Sequence, residues 1–354
     1  MLSQLDKRSP LLHSDDIAVF MVVRNEAARL PWFLEYYRNL GVSRFFVVDN
    51  ASDDDTRELL LSQDDVHLFF TDASYRENGC GRNWTDELRD AHGVGHWCLT
   101  LDADELLVFP LSEFLGLGEF TAYLDSFGYQ GLFTLMLDMY GKGPLNETHY
   151  VPGSPFVDAC TYFDSGPYKA AVADTFPPIS CYGGVRRRVF FQNEQRGVVL
   201  RKVPLVKWQA GYRYFSSTHS LSELRLADVT GALLHFKFFS HFQEYAAEEL
   251  RRGERPQHVA DYDRYAEVTG TRPDIVFFNS ESTAYESSTQ LVRLGLVRAS
   301  KQYLNAIHPL LRKRFGNKQA ATIRAPIKEA MLHAERVFAP DMRQALQLWE
   351  ALTR

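Results

Sequence analysis

The chain holds four cysteines in 354 residues, Cys80, Cys98, Cys160 and Cys181, and no pair is spaced as Cys-x-x-Cys. This scatter suggests neither a disulfide framework nor a zinc ribbon. Cys98, inside an apolar run, reads as a small core residue. No uninterrupted apolar stretch reaches the ~20 residues that span a bilayer. The polar segment Met1 to Asp16 lacks the apolar core of a signal peptide. A cytoplasmic protein is therefore expected, and the Asn-x-Thr triplets at Asn83 and Asn146 carry no expectation of glycosylation. Positive charge is not in excess: 39 Lys and Arg face 45 Asp and Glu, for a net charge of -6. Bulk electrostatics thus argue against a nucleic-acid partner. A P-loop Gly-Lys-Ser/Thr is missing, as are His-Glu-x-x-His and Gly-x-Ser-x-Gly. Gly79-Cys80-Gly81-Arg82 lacks the third glycine of a dinucleotide fingerprint and follows no convincing strand. Asp49 to Asp55 lacks the central Gly of a calcium loop, and Leu60 stands where its bidentate Glu belongs. No internal repeat or low-complexity segment occurs.

What is present is a folded chain's composition, 45% hydrophobic and 24% charged, enough for a sizeable core. The length suggests roughly two domains, or one large domain with an extension. The most informative stretch runs from His96 to Phe109. Its apolar part, Trp97 to Leu101, suits a strand buried on both faces of a parallel sheet. It ends in Asp102-Ala103-Asp104-Glu105, at the strand end where open α/β sheets bind ligands. A solvated acidic turn is the plain alternative. Carboxylates at a buried strand end favour a hard divalent cation, Mg2+ or Mn2+.

Earlier in the chain, Ile17 to Val23 reads as a strand ending in Arg24-Asn25-Glu26. Leu30, Phe33, Leu34 and Tyr37 then recur at helical spacing, with Pro31 in the first turn and Gly41 at the stop. Arg44 to Val48 is a second strand, ending in Asp49-Asn50, and a helix follows from about Asp54. Val66 to Phe70 is a third strand, and Arg82 to Ala91 reads as helix. This alternation predicts a parallel sheet with right-handed crossovers, an α/β fold. Its three polar strand ends should then share one edge and form a small-molecule site.

Beyond the acidic motif, Phe120, Tyr123, Leu124 and Phe127 mark a helix, and Leu132 to Leu137 a strand ending at Asp138. Gly141 to Pro178 reads as loop-rich, with Tyr140, Tyr150, Phe156, Tyr162, Phe163 and Tyr168 as sheet cover or sugar-stacking rings. Arg186-Arg187-Arg188 before Val189 to Phe191 reads as a strand with solvated arginines, or as a phosphate contact. Ala232 to Phe239 reads as a strand with His235 and Lys237 on one face. Ser240-His241-Phe242-Gln243 is a candidate capping box for a helix to about Arg252. From about Ser287 the chain turns helical and more basic, with Met342, Ala345, Leu346 and Trp349 on one face of a final helix. Arg312-Lys313-Arg314 is either a solvated helix face or a contact for anionic lipid at the inner face of a membrane.

The order of Val-Val-Arg-Asn-Glu (22–26), Val-Val-Asp-Asn-Ala-Ser-Asp-Asp-Asp-Thr (47–56), Arg-Asn-Trp (82–84) and Leu-Asp-Ala-Asp-Glu (101–105) resembles family 2-type glycosyltransferases of the GT-A fold, closest to the bacterial branch that resembles family 92 enzymes. The match is good over Ile17 to Phe109 and looser to about Tyr245. The resemblance implies a GT-A-type, Rossmann-like, mostly parallel sheet flanked by helices over residues 1–255. Residues 17–110 would form its nucleotide-sugar half and 111–255 its acceptor half, with a helical C-terminal extension over 256–354. It also implies a nucleotide-sugar donor, with a UDP-sugar expected, and a glycan, lipid-linked or protein acceptor.

Residue by residue, Asp49 matches the contact to the nucleotide base, and Arg24 and Glu26 line the same pocket. Arg82 and Asn83 match polar positions near the base or diphosphate. Asp102 and Asp104 match the Asp-x-Asp pair, with Asp104 as metal ligand and Asp102 on the ribose or the metal. His235 matches a late metal or diphosphate ligand, although Phe236 stands where a Tyr is usual. Glu105 supports the loop or meets substrate, and Arg82 or Arg186 could contact the diphosphate. Family 2-type enzymes generally invert configuration, which asks for a base. The family's late acidic pair has no clear counterpart, leaving Asp138, Asp158, Asp164, Glu194 and His219. His219 is singled out because a free imidazole titrates near ~6.5.

Three readings follow. The first is a metal-dependent glycosyltransferase using Mn2+ or Mg2+. The second is a nucleotidyltransferase on the same scaffold, disfavoured by the lack of a Gly-rich basic loop after the first strand. The third is a non-catalytic nucleotide-sugar-binding scaffold, disfavoured by the intact acidic motif.

Overall fold

The computed structural model describes residues 2–191, 198–254 and 261–337. A short strand β1 (Ser3–Gln4) precedes β2 (Ile17–Val23), α1 (Leu30–Leu40), β3 (Arg44–Asp49), α2 (Thr56–Leu61) and β4 (Val66–Phe70). Next come α3 (Arg82–Leu88), β5 (Trp97–Thr100), β6 (Glu105–Val108), α4 (Leu117–Ser126) and β7 (Gly131–Asp138). Small elements follow: α5 (Phe156–Ala159), β8 (Tyr162–Asp164), β9 (Tyr168–Val172) and β10 (Ile179–Gly183). Then come β11 (Arg201–Lys207), β12 (Gly231–His235), α6 (Phe242–Arg252), α7 (Asp261–Thr271), β13 (Ser282–Ala284), α8 (Ser288–Arg293) and α9 (Lys301–Val337).

Nine strands form the central sheet in the order β1-β4-β3-β2-β5-β11-β7-β12-β6. Strands β2 to β5 are parallel to one another, and β12 is parallel to β7. Strands β1, β6 and β11 run antiparallel to their neighbours. The architecture is the expected α/β class, a mostly parallel Rossmann-like sheet flanked by helices with helices at its C-terminal end. The continuous apolar runs of β2 and β3 follow from burial on both faces.

Helix α1 buries Leu30, Phe33, Leu34, Tyr37 and Leu40 along one stripe. It stops at Gly41, whose φ of 105° is left-handed and suits a residue without Cβ. The helix also places the acidic motif. Tyr37 Oη donates to the Glu105 carbonyl at 3.0 Å and accepts from the Leu107 N–H at 2.9 Å. A second clamp holds the end of β5: the fully buried Arg89, just past α3, donates to Thr100 Oγ1 at 2.6 Å. Its guanidinium also lies 4.5 Å from the Trp208 ring centre.

Several expectations need correction. Strands β6 and β11 were not anticipated. Residues Arg186–Phe190 form a wide helical turn, not a strand with alternating arginines. The loop-rich region carries α5, β8 and β9, and β10 begins just past its end at Ile179. Phe156 and Phe163 there are fully buried as sheet cover. Helix α6 starts after His241 with no side-chain cap, and Ser240 Oγ instead meets His149 Nδ1 at 3.1 Å. The face of Met342, Ala345, Leu346 and Trp349 lies outside the described residues. In the basic run, Arg314 donates to the Phe114 carbonyl at 2.6 Å and to Glu119 at 2.7 Å. Arg312 bonds Asn317 at 2.5 Å. Two of the three cations thus have partners within the chain, while all three stay exposed, and nothing in the fold supports the lipid reading. Among the described residues, no helix is long and apolar enough to cross a membrane.

A second apolar cluster joins Tyr140, Phe190, Phe238, Phe242, Tyr265 and Phe277. It fixes the α6–α7 hairpin against the carboxyl edge of the sheet. Tyr303, Leu304, Ile307 and Leu311 of α9 belong to the main core.

Gly231 shows how tight the seam at β12 is. A Cβ there would stand 2.8 Å from the Val108 carbonyl oxygen of β6. We expect Gly231→Ala to cost ~1–3 kcal/mol in urea unfolding, because backbone cannot yield as a side-chain tip would. A variant as stable as the parent would show the seam to be plastic.

Candidate active site

Strand register assembles the site. Three strands separate β5 from β6 in the sheet, so the Asp102–Asp104 turn crosses the carboxyl edge. Cross-strand pairing then aligns Glu105 of β6, His235 of β12 and Asp138 of β7 in one row. His235 Nδ1 lies 2.6 Å from Asp138 Oδ1, and its Nε2 lies 3.4 Å from Asp104 Oδ2. Arg186 closes the row, its Nε donating to Asp138 Oδ2 at 2.7 Å. On β11, a register shift follows Lys202. The Lys202 ammonium meets Asp102 at 3.1 Å and also binds Glu105.

Charges decide the protonation states. Burial alone would raise the Asp104 carboxyl, but His235, Arg29 and Lys237 overcome it and hold Asp104 far below the usual range. Burial lowers the His235 imidazole, and Asp104 and Asp138 more than reverse this, so its pKa is raised. Asp138 is lowered: burial is outweighed by Arg186 and His235. Lys202 likewise loses to burial and gains more from Asp102 and Glu105, and it stays charged. Each buried carboxylate in the row therefore has a cation beside it, as burial of charge requires.

These groups line a cavity of about 310 Å³, within the usual size of small-molecule sites. Arg24, Glu26, Asp102, Asp104, Glu105, Arg186, His219 and His235 all reach its wall, as the strand-end argument requires. Arg24 Nη1 donates to the Asn50 and Ala51 carbonyls at 3.0 and 2.7 Å, tying two strand ends together. Glu26 pairs with Arg29 at 2.8 Å; burial leaves its pKa raised despite that partner.

Three expected contacts lie elsewhere. Asp49 is fully buried and accepts from Arg57 and from the Ser52 N–H, at 2.8 and 2.9 Å. It closes the β3–α2 turn, and its neighbour Asn50 lines the cavity instead. Arg82 donates to the Phe215 carbonyl, and Asn83 is exposed on the first turn of α3; neither lines this cavity. His219 is present but not basic. Burial, then Lys202, pushes its pKa down to about 3. Its Nδ1 lies 2.7 Å from the Arg201 carbonyl, which can only accept, so Nδ1 carries the proton. Of the other base candidates, Asp138 and Asp164 are locked to arginines, Asp158 is exposed and does not line the cavity, and Glu194 lies outside the described residues.

Lys202, Tyr245, Asp261 and Tyr262 complete the wall without having been anticipated. Lys202 follows no motif, and the register shift after it hides its face from any period-two count. Lys237, expected on the face of His235, donates to Tyr262 Oη at 2.9 Å. It also lies 4.8 Å from that ring's centre.

Among the described residues, no three His, Cys, Asp or Glu side chains form a ready-made metal cage. The donor set does fit a cation shared with substrate. Mg2+-type ions commonly take one or two protein carboxylates plus substrate phosphates, and two ligands at right angles on such an ion, ~2.1 Å from it, lie about 3 Å apart. The 3.4 Å between Asp104 and His235 suits that arrangement. Asp138 fixes the imidazole from behind, as second-layer carboxylates do at metal-binding histidines.

Neither a family model nor a curated protein matches the chain. Among solved structures, HddC from Yersinia pseudotuberculosis is similar at 12% identity and a TM-score of 0.22, over 38% of this chain and 66% of that one. The chain thus spans about two thirds of that protein's length. The inositol-1-phosphate CTP transferase from T. maritima is similar at 11% identity and a TM-score of 0.22, over 88% of this chain and 96% of that one. At such scores the likeness carries neither fold nor function, and the case for function rests on the site itself.

Proposed function

We propose that the chain is a GT-A-type glycosyltransferase, moving a sugar from a nucleoside diphosphate donor to an acceptor hydroxyl. One observation carries this reading. The Asp102–Asp104 turn lies at the carboxyl edge of parallel strands and faces Lys202, His235, Lys237 and Arg186 across one cavity. Cleaving a sugar–phosphate bond leaves a diphosphate of growing charge, and preplaced cations stabilise that charge most in the transition state. Lys237 and Arg186 supply it directly. Lys202 instead holds Asp102 and Glu105 in place, so that the turn keeps its shape. Asp104 and His235 would hold Mn2+ or Mg2+, which when bound supplies Lewis-acid stabilisation of the leaving diphosphate. The donor is a UDP-sugar and the acceptor a hydroxyl of a glycan, lipid-linked glycan or protein, with inversion at the sugar.

Calorimetric titration of UDP, with UMP as control, tests the donor half. UDP should bind more tightly than UMP, and Mn2+ should strengthen UDP by about tenfold or more. Equal affinity for UMP and UDP, or no effect of Mn2+, would contradict the assignment of the diphosphate to this corner.

A further inference from the structure

Six carboxylates line the cavity: Glu26, Asp102, Asp104, Glu105, Glu249 and Asp261. Five have cationic partners. Glu26 is held by Arg29, Asp102 and Glu105 by Lys202, Asp104 by His235, and Glu249 by Arg252. Asp261 makes no hydrogen bond or ion pair among the described residues. It stands in the first turn of α7, on the helical-hairpin side of the cavity, whereas Asp102, Asp104 and His235 come from the sheet edge. Arg186 and Lys237 are the cations that act on it, and it in turn raises the Tyr265 hydroxyl. Arg186 and Lys237 already bond Asp138 and Tyr262. A carboxylate in a cavity wall with no bonded partner among the described residues can accept a proton without first giving one up.

We infer that Asp261 is the general base for the acceptor hydroxyl. The inference rests on the transferase reading above. In the step, the acceptor O–H proton passes to the Asp261 carboxylate as the acceptor oxygen bonds to the anomeric carbon. The bond from that carbon to the diphosphate breaks, and the nucleoside diphosphate leaves with the electron pair. Asp261 later returns the proton to solvent. Burial raises the Asp261 carboxyl, with Arg186 and Lys237 opposing but not cancelling it. The shift brings the group toward the neutral range in which a base works best. Among the described groups of the cavity wall, the paired carboxylates would have to break an ion pair first, and His219 is too weakly basic.

The test uses UDP-glucose, UDP-galactose and UDP-N-acetylglucosamine with water or azide as the nucleophile. Water must lose a proton on attack; azide, an anion, attacks with no proton to lose. Asp261→Asn should slow UDP release to water at least ~100-fold, while azide-driven release stays within about twofold of wild type. The rise of the wild-type rate with pH, as Asp261 ionises, should vanish in the variant. Unchanged hydrolysis in Asp261→Asn would overturn the assignment. An equal loss with water and with azide would also overturn it, by showing a structural role. If the wild-type chain itself releases no UDP from any of the three donors, the transferase reading falls and takes this assignment with it. That outcome is recognised because it needs no variant.

Discussion

Asp104→Asn is expected to lower turnover of a nucleotide sugar by about 100- to 1000-fold while the protein stays folded. The side chains are nearly the same size, and the variant amide oxygen can still accept from His235, 3.4 Å from the carboxylate in the parent. The Asp104 carbonyl keeps its bond from the Phe236 N–H at 2.8 Å. What disappears is a full negative charge that the parent keeps at any ordinary pH, since its cationic neighbours depress its pKa so far. With that charge goes the hard ligand a divalent ion needs. Steady-state kinetics beside a thermal melt separate the two effects. A folded variant with undiminished turnover would remove Asp104 from the mechanism.

Lys202→Met should be the most destabilising change at the site. Glu105 is fully buried and has Lys202 as its cation. Removing the ammonium leaves a buried carboxylate uncompensated, a loss of ~3–5 kcal/mol in urea or guanidinium unfolding. Replacing both partners, Lys202→Met with Glu105→Gln, should recover much of that loss, because no bare charge then remains. A single variant within ~1 kcal/mol of the parent would mean that water reaches Glu105 and the pair is not structural. Asp102, whose side chain is 59% exposed, shares Lys202 but can turn to solvent and contributes little to this effect.

The sequence was most legible where a period or an abrupt break in polarity marks the chain. The runs Ile17–Val23 and Val66–Phe70 emerge as strands with the expected bounds. Their parallel order follows from the helices between them, and it brings Arg24, Asn50 and Asp102 to one edge. His235 was legible for the same reason, but β12 ends there, so the expected strand to Phe239 stops short and Lys237 lies just past it. Less legible were contacts made by folding back. β6 begins at Glu105, inside what looks like the tail of the β5 run, and only the sheet order separates the two. Lys202 sits before a register shift, where alternation fails. Asp49 looked like a ligand because it ends a strand, but Arg57 of α2 reaches it first. Its burial is decided by a partner eight residues away, which no strand pattern encodes. His219 carried a suitable free pKa, and its environment removed it. A titratable side chain's role depends on desolvation and neighbours, and neither is local in sequence.

The identity of the released product tests the central claim most directly. The protein is incubated with UDP-glucose, UDP-galactose and UDP-N-acetylglucosamine in the presence of Mn2+, and the phosphorus-containing products are resolved by 31P NMR. Transfer at the Asp102–Asp104 corner predicts UDP from at least one donor, with the sugar appearing on acceptor or water. No UDP from any nucleotide sugar, with pyrophosphate formed in a parallel incubation with UTP and glucose 1-phosphate, would contradict glycosyl transfer and leave a nucleotidyl transfer on the same scaffold.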